Sequence, residues 1–98
     1  MKVVWSPLAM DRVVEIGAYI YAENPLAAEE WIRKIFDRVK QLASFPGSGR
    51  NIPERRRPDT KELIWGNYRI IYRCTAREVS VLTVRHVKQI LPLDELGM

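Results

Sequence analysis

The sequence predicts an α+β domain in which a helical hairpin packs on one face of an antiparallel sheet. Three observations predict it. Apolar residues recur at helical spacing on both sides of an Asn24-Pro25 joint, a loop rich in proline and glycine follows, and the second half breaks into runs of β-branched and aromatic residues separated by turn signals. The expected order is an N-terminal strand, two antiparallel helices, then a three-stranded meander, with residues 1–98 forming a single domain. Ninety-eight residues of 47% apolar content suffice for one modest core.

Each element has its own local signal. "KVVW", Lys2 to Trp5, is a short strand, and Ser6-Pro7 supplies a capping hydroxyl followed by proline at the first helical position. Ala9, Val13, Ile16 and Ile20 then lie on one helix face, and Asn24-Pro25 ends that helix. The same dipeptide starts a second one, because Asn24 is a good N-cap and the missing N–H of Pro25 is harmless in the first turn. Its stripe is Ala28, Ile32, Ile35, Val39 and Leu42, running to about Ser44, with Trp31 and Phe36 at the edge of the core. "SFPGSGRNIPERRRPDT" has no period and reads as a long loop. "KELIW", "NYRIIYR" and "EVSVLTVRHV" are the meander strands, and the first strand can join the sheet at an edge.

Alternation places Tyr68, Ile70 and Tyr72 on one face of the middle strand, and Arg69, Ile71 and Arg73 on the other. In the last strand it sets Val79, Val81, Thr83 and Arg85 against Ser80, Leu82, Val84 and His86. Neither face is cleanly polar, so something besides the hairpin must cover the second one. A partner segment would do so, as would a C-terminal helix folded back from this chain. The tail "LPLDELGM" shows no period that decides between a short helix and an extended arm.

Net charge is +4, and its whole excess lies between Arg50 and Arg73, where seven basic residues face three acidic ones; elsewhere nine balance nine. That concentration suits nucleic acid, an acidic protein surface, or simply a solvated loop. The guanidinium groups around the meander are expected to stand unneutralised until a second macromolecule arrives. Cys74 is the only cysteine and reads as a small apolar filler, which predicts a reducing compartment, no structural zinc and no other metal or cofactor. No run reaches the roughly 18 apolar residues of a membrane span, and Ser6-Pro7 interrupts any signal-peptide core, so a soluble, cytoplasmic protein without a membrane partner is expected.

At this point the chain resembles the ParE/RelE superfamily of toxins from bacterial type II toxin-antitoxin pairs, often labelled plasmid stabilisation proteins. The resemblance is carried by "WSPLAMDRVVEIGAYIYAENPLAAEEW", "FPGSGRNIPE", "KELIWGNYRIIYR" and "VLTVRHVKQIL", in the expected order over nearly the whole chain. It implies growth inhibition, a cognate antitoxin as partner and a higher-order toxin-antitoxin oligomer. The ParE-like branch, towards which the reading leans, acts by binding DNA gyrase and needs no catalytic residue. The RelE-like branch cleaves messenger RNA on the ribosome by stabilising charge and moving protons. A member acting only with its antitoxin in transcriptional autoregulation is a third alternative.

Residue by residue, Arg69 matches the middle-strand arginine that RelE-like nucleases use on phosphate. The supporting lysines of those enzymes fall near Thr60 and Glu62 here, and a carboxylate beside a phosphate is electrostatically wrong. Their later arginine falls near Gln89, and no tyrosine follows Tyr72. A different nuclease set resembles another branch, with Glu54 as base, Arg69 on phosphate and His86 as acid. The lone His86 reads more readily as a strand-end residue bonded to backbone, and Glu54 equally as the partner of a neighbouring arginine. For target or partner binding the candidates are Arg55, Arg56, Arg57, Arg69, Arg73 and Arg85, since a planar guanidinium suits phosphate and carboxylate alike. Tyr68 and Tyr72 read as packing residues.

Overall fold

The computed structural model describes residues 1–55, 57–89 and 91–96; Arg56 and Ile90 lie outside the described residues, as do the last two. Strand β1 (Lys2–Trp5) leads into α1 (Pro7–Glu23) and α2 (Pro25–Lys40), which continues as a 3-10 turn over Gln41–Ala43. Ser6 is the cap that the sequence predicts, and it also reaches across the fold. Its Oγ accepts from Ala9 N–H at 3.0 Å and donates to the Leu82 carbonyl at 2.9 Å. Asn24 ends one helix and opens the other. Its N–H donates to the Ile20 carbonyl at 2.9 Å, while its Oδ1 accepts from Ala27 N–H at 3.1 Å.

Five strands form one sheet in the order β1-β5-β4-β3-β2, where β2 is Arg50–Asn51, β3 Thr60–Trp65, β4 Tyr68–Cys74 and β5 Glu78–His86. The three long strands are the predicted antiparallel meander, and β1 joins at the edge, parallel to β5. The loop contributes β2 as a two-residue antiparallel edge on β3. The gap between β3 and β4 is Gly66-Asn67, and only Gly66 has positive φ, at 58°, as its tight turn requires.

The hairpin covers one sheet face. Ala9, Val13, Trp31, Ile35 and Val39 meet Ile70, Val81 and Val84 there, with Tyr68 and Leu63 packed alongside. Trp31, expected at the core edge, is instead 8% exposed, with Trp65 at 6.4 Å and Tyr68 at 5.1 Å between ring centroids. Ile32 turns towards α1, where Gly17 admits it; a Cβ at Gly17 would stand 3.0 Å from the Ile32 Cδ1. The sheet-facing stripe of α2 therefore runs through Ala28, Trp31, Ile35 and Val39.

A β-bulge corrects the alternation expected for β5. Ile71 pairs with Thr83 but Tyr72 pairs with Val81, which leaves Leu82 as the extra residue. Val79, Val81 and Val84 consequently share the hairpin face. Leu82 joins Ile71 on the other face, where Ile52, Leu91 and Leu96 complete a second small core. The cover of that face thus comes from this chain: the 50s loop and a tail that ends in a 3-10 turn, Leu93–Leu96.

The loop before β3 is anchored by Tyr72. Its hydroxyl accepts from Gly49 N–H at 2.8 Å and donates to the Pro46 carbonyl at 2.9 Å. An added Cβ at Gly49 would collide with that hydroxyl and lie 2.6 Å from the Glu62 carbonyl. Gly49→Ala should therefore destabilise the fold by about 1–3 kcal/mol through overpacking. The measurement is the urea midpoint, and an unchanged midpoint would show that the loop relaxes freely.

Candidate functional site

On the sheet face opposite the hairpin, Arg69 rises from near the start of β4, the central strand of the sheet, and is only 5% exposed. Its Nε donates to Glu62 Oε2 at 2.8 Å, and its Nη1 and Nη2 donate to the two oxygens of Glu54 at 2.8 and 2.7 Å. Nη1 also donates to the Gln89 carbonyl at 3.3 Å. Glu62, whose side chain is fully buried, comes from β3 and accepts at its other oxygen from Arg50 Nε at 3.0 Å. Glu54 comes from the loop, and its Oε2 further accepts the Leu91 N–H at 3.2 Å. Its carboxyl is lowered to about 2, chiefly by the Arg69 hydrogen bonds. An open cleft of about 510 Å³ lies over this network, bordered by Arg50, Lys88 and Gln89.

A second network gathers on Glu95 in the tail. Thr83 Oγ1 donates to its Oε1 at 2.8 Å, Arg12 Nη2 to its Oε2 at 2.8 Å, and Arg85 grips both oxygens through Nε and Nη2. Burial alone would raise this carboxyl, yet the bonds from Arg85, Arg12 and Thr83 prevail and hold it at about 2. Arg73 donates to the Leu96 carbonyl at 2.9 Å and stands 3.6 Å from Asp59. Arg57 also meets Asp59, at 3.4 Å. Arg55 is half-buried in a bridge with Ile52, and Arg56 lies outside the described residues.

The expectation of unneutralised guanidinium groups is therefore overturned. Arg69, Arg73 and Arg85 are paired with carboxylates of this polypeptide, because Glu54, Glu62, Asp59 and Glu95 converge on them from separate elements. An arginine this deeply desolvated must have such partners. Glu62, the residue that looked wrong beside a phosphate, is one of them.

Of the three residues in the nuclease reading, the fold joins two and separates the third. Glu54 and Arg69 are paired, whereas His86 is the cross-strand neighbour of Tyr68 and shares its face, opposite Arg69. The His86 ring meets Tyr68 edge-on, with centroids 5.6 Å apart, and its Nδ1 accepts from Lys88 N–H at 3.1 Å. It borders a separate hollow of about 420 Å³ with Glu15, Tyr19 and Gln89. Reasoning from sequence missed Arg12 and Glu95. The available signal for Glu95 was a carboxylate lodged between tail leucines.

Cys74 is half-buried and its thiol is pushed up by burial, consistent with a filler. Among the described residues no group of three or more His, Cys, Asp or Glu could hold a metal ion, and no helix is long and apolar enough to cross a membrane.

The architecture and the comparisons agree on the class of protein. A solved structure described as "Chromosomal ParDE TA system from P. aeruginosa" superposes with a TM-score of 0.73, covering 88% of this chain and 95% of that one; at 19% identity it shows a shared fold. "Putative toxin Y4kP" of Sinorhizobium fredii (strain NBRC 101917 / NGR234) is 40% identical over 93 residues, 93% of each chain. The family model "ParE toxin of type II toxin-antitoxin system, parDE" matches residues 3–91. The chain belongs to that family, within the ParE/RelE superfamily.

Glu54 and Glu95 stay ionised in the folded chain down to about pH 2, whereas in the unfolded chain such groups protonate near pH 4.3. Acid therefore protonates the unfolded chain first, and the stability these carboxylates contribute, complete above about pH 4.5, is lost progressively towards pH 2. Urea titrations across that range should show the decline, and Glu54→Gln should flatten it. Separately, Arg69→Ala removes the cation shared by Glu54 and the buried Glu62, leaving Glu62 only the exposed Arg50, and should cost about 3–5 kcal/mol, read from the same denaturation curves.

Proposed function

We propose that this toxin arrests growth by binding DNA gyrase in the cytoplasm, and that a cognate antitoxin neutralises it within a toxin-antitoxin assembly. The observation that carries the reading is the commitment of Arg69. Its guanidinium makes four hydrogen bonds inside the protein, three of them to carboxylate oxygens, and the single histidine lies across the sheet. A phosphate arriving at Arg69 would meet two anionic carboxylates and would have to displace them, at a desolvation and repulsion cost that ordinary phosphate contacts do not offset. Docking without bond cleavage makes no such demand. Family membership supports the toxin reading independently.

Within this reading Arg55, Arg56 and Arg57, in the loop, make the direct target or partner contacts. Arg69, Arg73 and Arg85 act indirectly, by holding the loop and tail in place through Glu54, Asp59 and Glu95. The rival ribosome-dependent endonuclease would need Glu54 released from Arg69 and His86 brought round to the same face.

The test is induced expression with pulse labelling, alongside gyrase supercoiling and ribosome-dependent cleavage assays on purified protein. DNA synthesis should stop, cells should filament, supercoiling should be inhibited and messages should remain intact. His86→Ala should retain growth arrest at matched expression. Cleaved messages, together with loss of arrest in His86→Ala, would replace this reading with the nuclease. Absence of any arrest would leave a member that acts only with its antitoxin in autoregulation.

A further inference from the structure

The hollow beside His86 lies on the opposite face of the sheet from Arg69, and its inner wall is held in place from behind. The Tyr68 ring rests edge-on against the buried Trp31, with centroids 5.1 Å apart, and meets the His86 ring edge-on at 5.6 Å. His86 is fixed in turn by the chain that follows it. Its N–H donates to Gln89 Oε1 at 3.1 Å, and its Nδ1 accepts from Lys88 N–H at 3.1 Å. An Nδ1 that accepts carries no proton, so the imidazole in this arrangement brings no charge to the hollow.

The mouth is built by α1. Glu15 and Tyr19 stand one turn apart there, with Ile16 beside them. Tyr19 is 77% exposed and the Glu15 side chain 62%, so neither is required by the core. Burial, and after it the nearby Tyr19 phenol, push the Tyr68 hydroxyl up, which places the two tyrosines within electrostatic reach of each other. Among the described residues Glu15 accepts from Arg12 alone, both oxygens from the same Nη1 at 2.9 and 3.3 Å, while Arg12 Nη2 turns to Glu95. The carboxylate keeps lone pairs for a second donor.

These groups together select one kind of occupant. A hydrocarbon side chain would bury the carboxylate without a new partner. A phosphate would meet that carboxylate with no Lys or Arg among the described residues lining the hollow. A nucleobase stacks on tyrosine rings, but it brings such a phosphate with it. A flat cation satisfies every wall, because its N–H groups meet Glu15 and its plane lies on ring faces that carry negative charge density. We propose that this hollow receives an arginine side chain of a partner protein, with Glu15 accepting from the guanidinium and Tyr19 and Tyr68 enclosing it. Guanidinium is preferred to ammonium because it is planar, more weakly hydrated and stacks on aromatic rings. The inference holds whether or not gyrase is the target, since it concerns the side chain recognised and not the protein that carries it.

The probe is the tripeptide acetyl-Gly-Arg-Gly-amide, titrated into the full-length chain while the side-chain NMR signals of Tyr19, Tyr68 and His86 are followed. The control is the same peptide with citrulline, which keeps the shape of the side chain and lacks its charge. The arginine peptide should give saturable shifts at all three side chains, and the citrulline peptide should bind at least about five-fold more weakly. Glu15→Gln and Tyr19→Ala change exposed positions outside the core, so the fold is kept, and each should weaken the arginine peptide by about three- to ten-fold. Absence of saturable shifts, equal binding of the citrulline peptide, or unchanged binding to Glu15→Gln would overturn the proposal. A short single-stranded oligonucleotide that shifts the same side chains and expels the arginine peptide would also overturn it, and would make the hollow a base-stacking site.

Discussion

The Arg69 guanidinium, buried in the middle of the sheet and clamped between Glu54 and Glu62, is the interaction on which the rest of the second face depends. A cation this far from water is tolerated only when its charge is matched and its N–H groups are met. Meeting that demand draws in four pieces of chain: β4 supplies the arginine, β3 supplies Glu62, the loop supplies Glu54, and the Gln89 carbonyl adds the turn after β5. Glu54 passes the constraint on by accepting the Leu91 N–H, which sets where the tail begins. The path of an otherwise irregular loop is thus fixed by electrostatics rather than by regular secondary structure.

The other face is organised by apolar packing, and the contrast between the faces bears on function. Helix propensity, capping by Ser6 and Asn24, and the Trp31 cluster make a rigid platform beneath the sheet. Above the sheet, short irregular segments are tied by two separate ion networks centred on Arg69 and Glu95. Charged groups arranged in this way give orientation and selectivity more readily than net stability. Irregular, ion-paired segments therefore occupy one face of the sheet and the two helices the other.

The charge cluster also shows how composition can mislead. Seven basic residues against three acidic ones suggested a surplus waiting for a partner. Yet two of those three carboxylates lie on Arg69, the third meets Arg57 and Arg73, and Glu95 arrives from beyond the counted window to hold Arg85. Net charge counts residues along the chain, whereas neutralisation depends on which of them the fold brings within hydrogen-bonding distance.

Most of the architecture was legible because its causes are local. Ser6-Pro7 and Asn24-Pro25 mark helix starts by chemistry confined to a few residues, and the β-branched runs and Gly66-Asn67 mark the meander in the same way. What escaped was decided between elements distant in the chain. Trp31 reached the core because Gly17 of another helix took in Ile32, and the bulge at Leu82 changed which β5 residues share a face. Glu95 found Arg12 across 83 positions. By itself the sequence determined the order and kind of the two helices and four longer strands, though not of β2 or the tail, and, through its resemblances, the family, since short-range sterics and capping act before any tertiary contact exists. Only the folded chain decided which carboxylates neutralise which arginines, because a salt bridge depends on a distance in space that no spacing along the chain encodes.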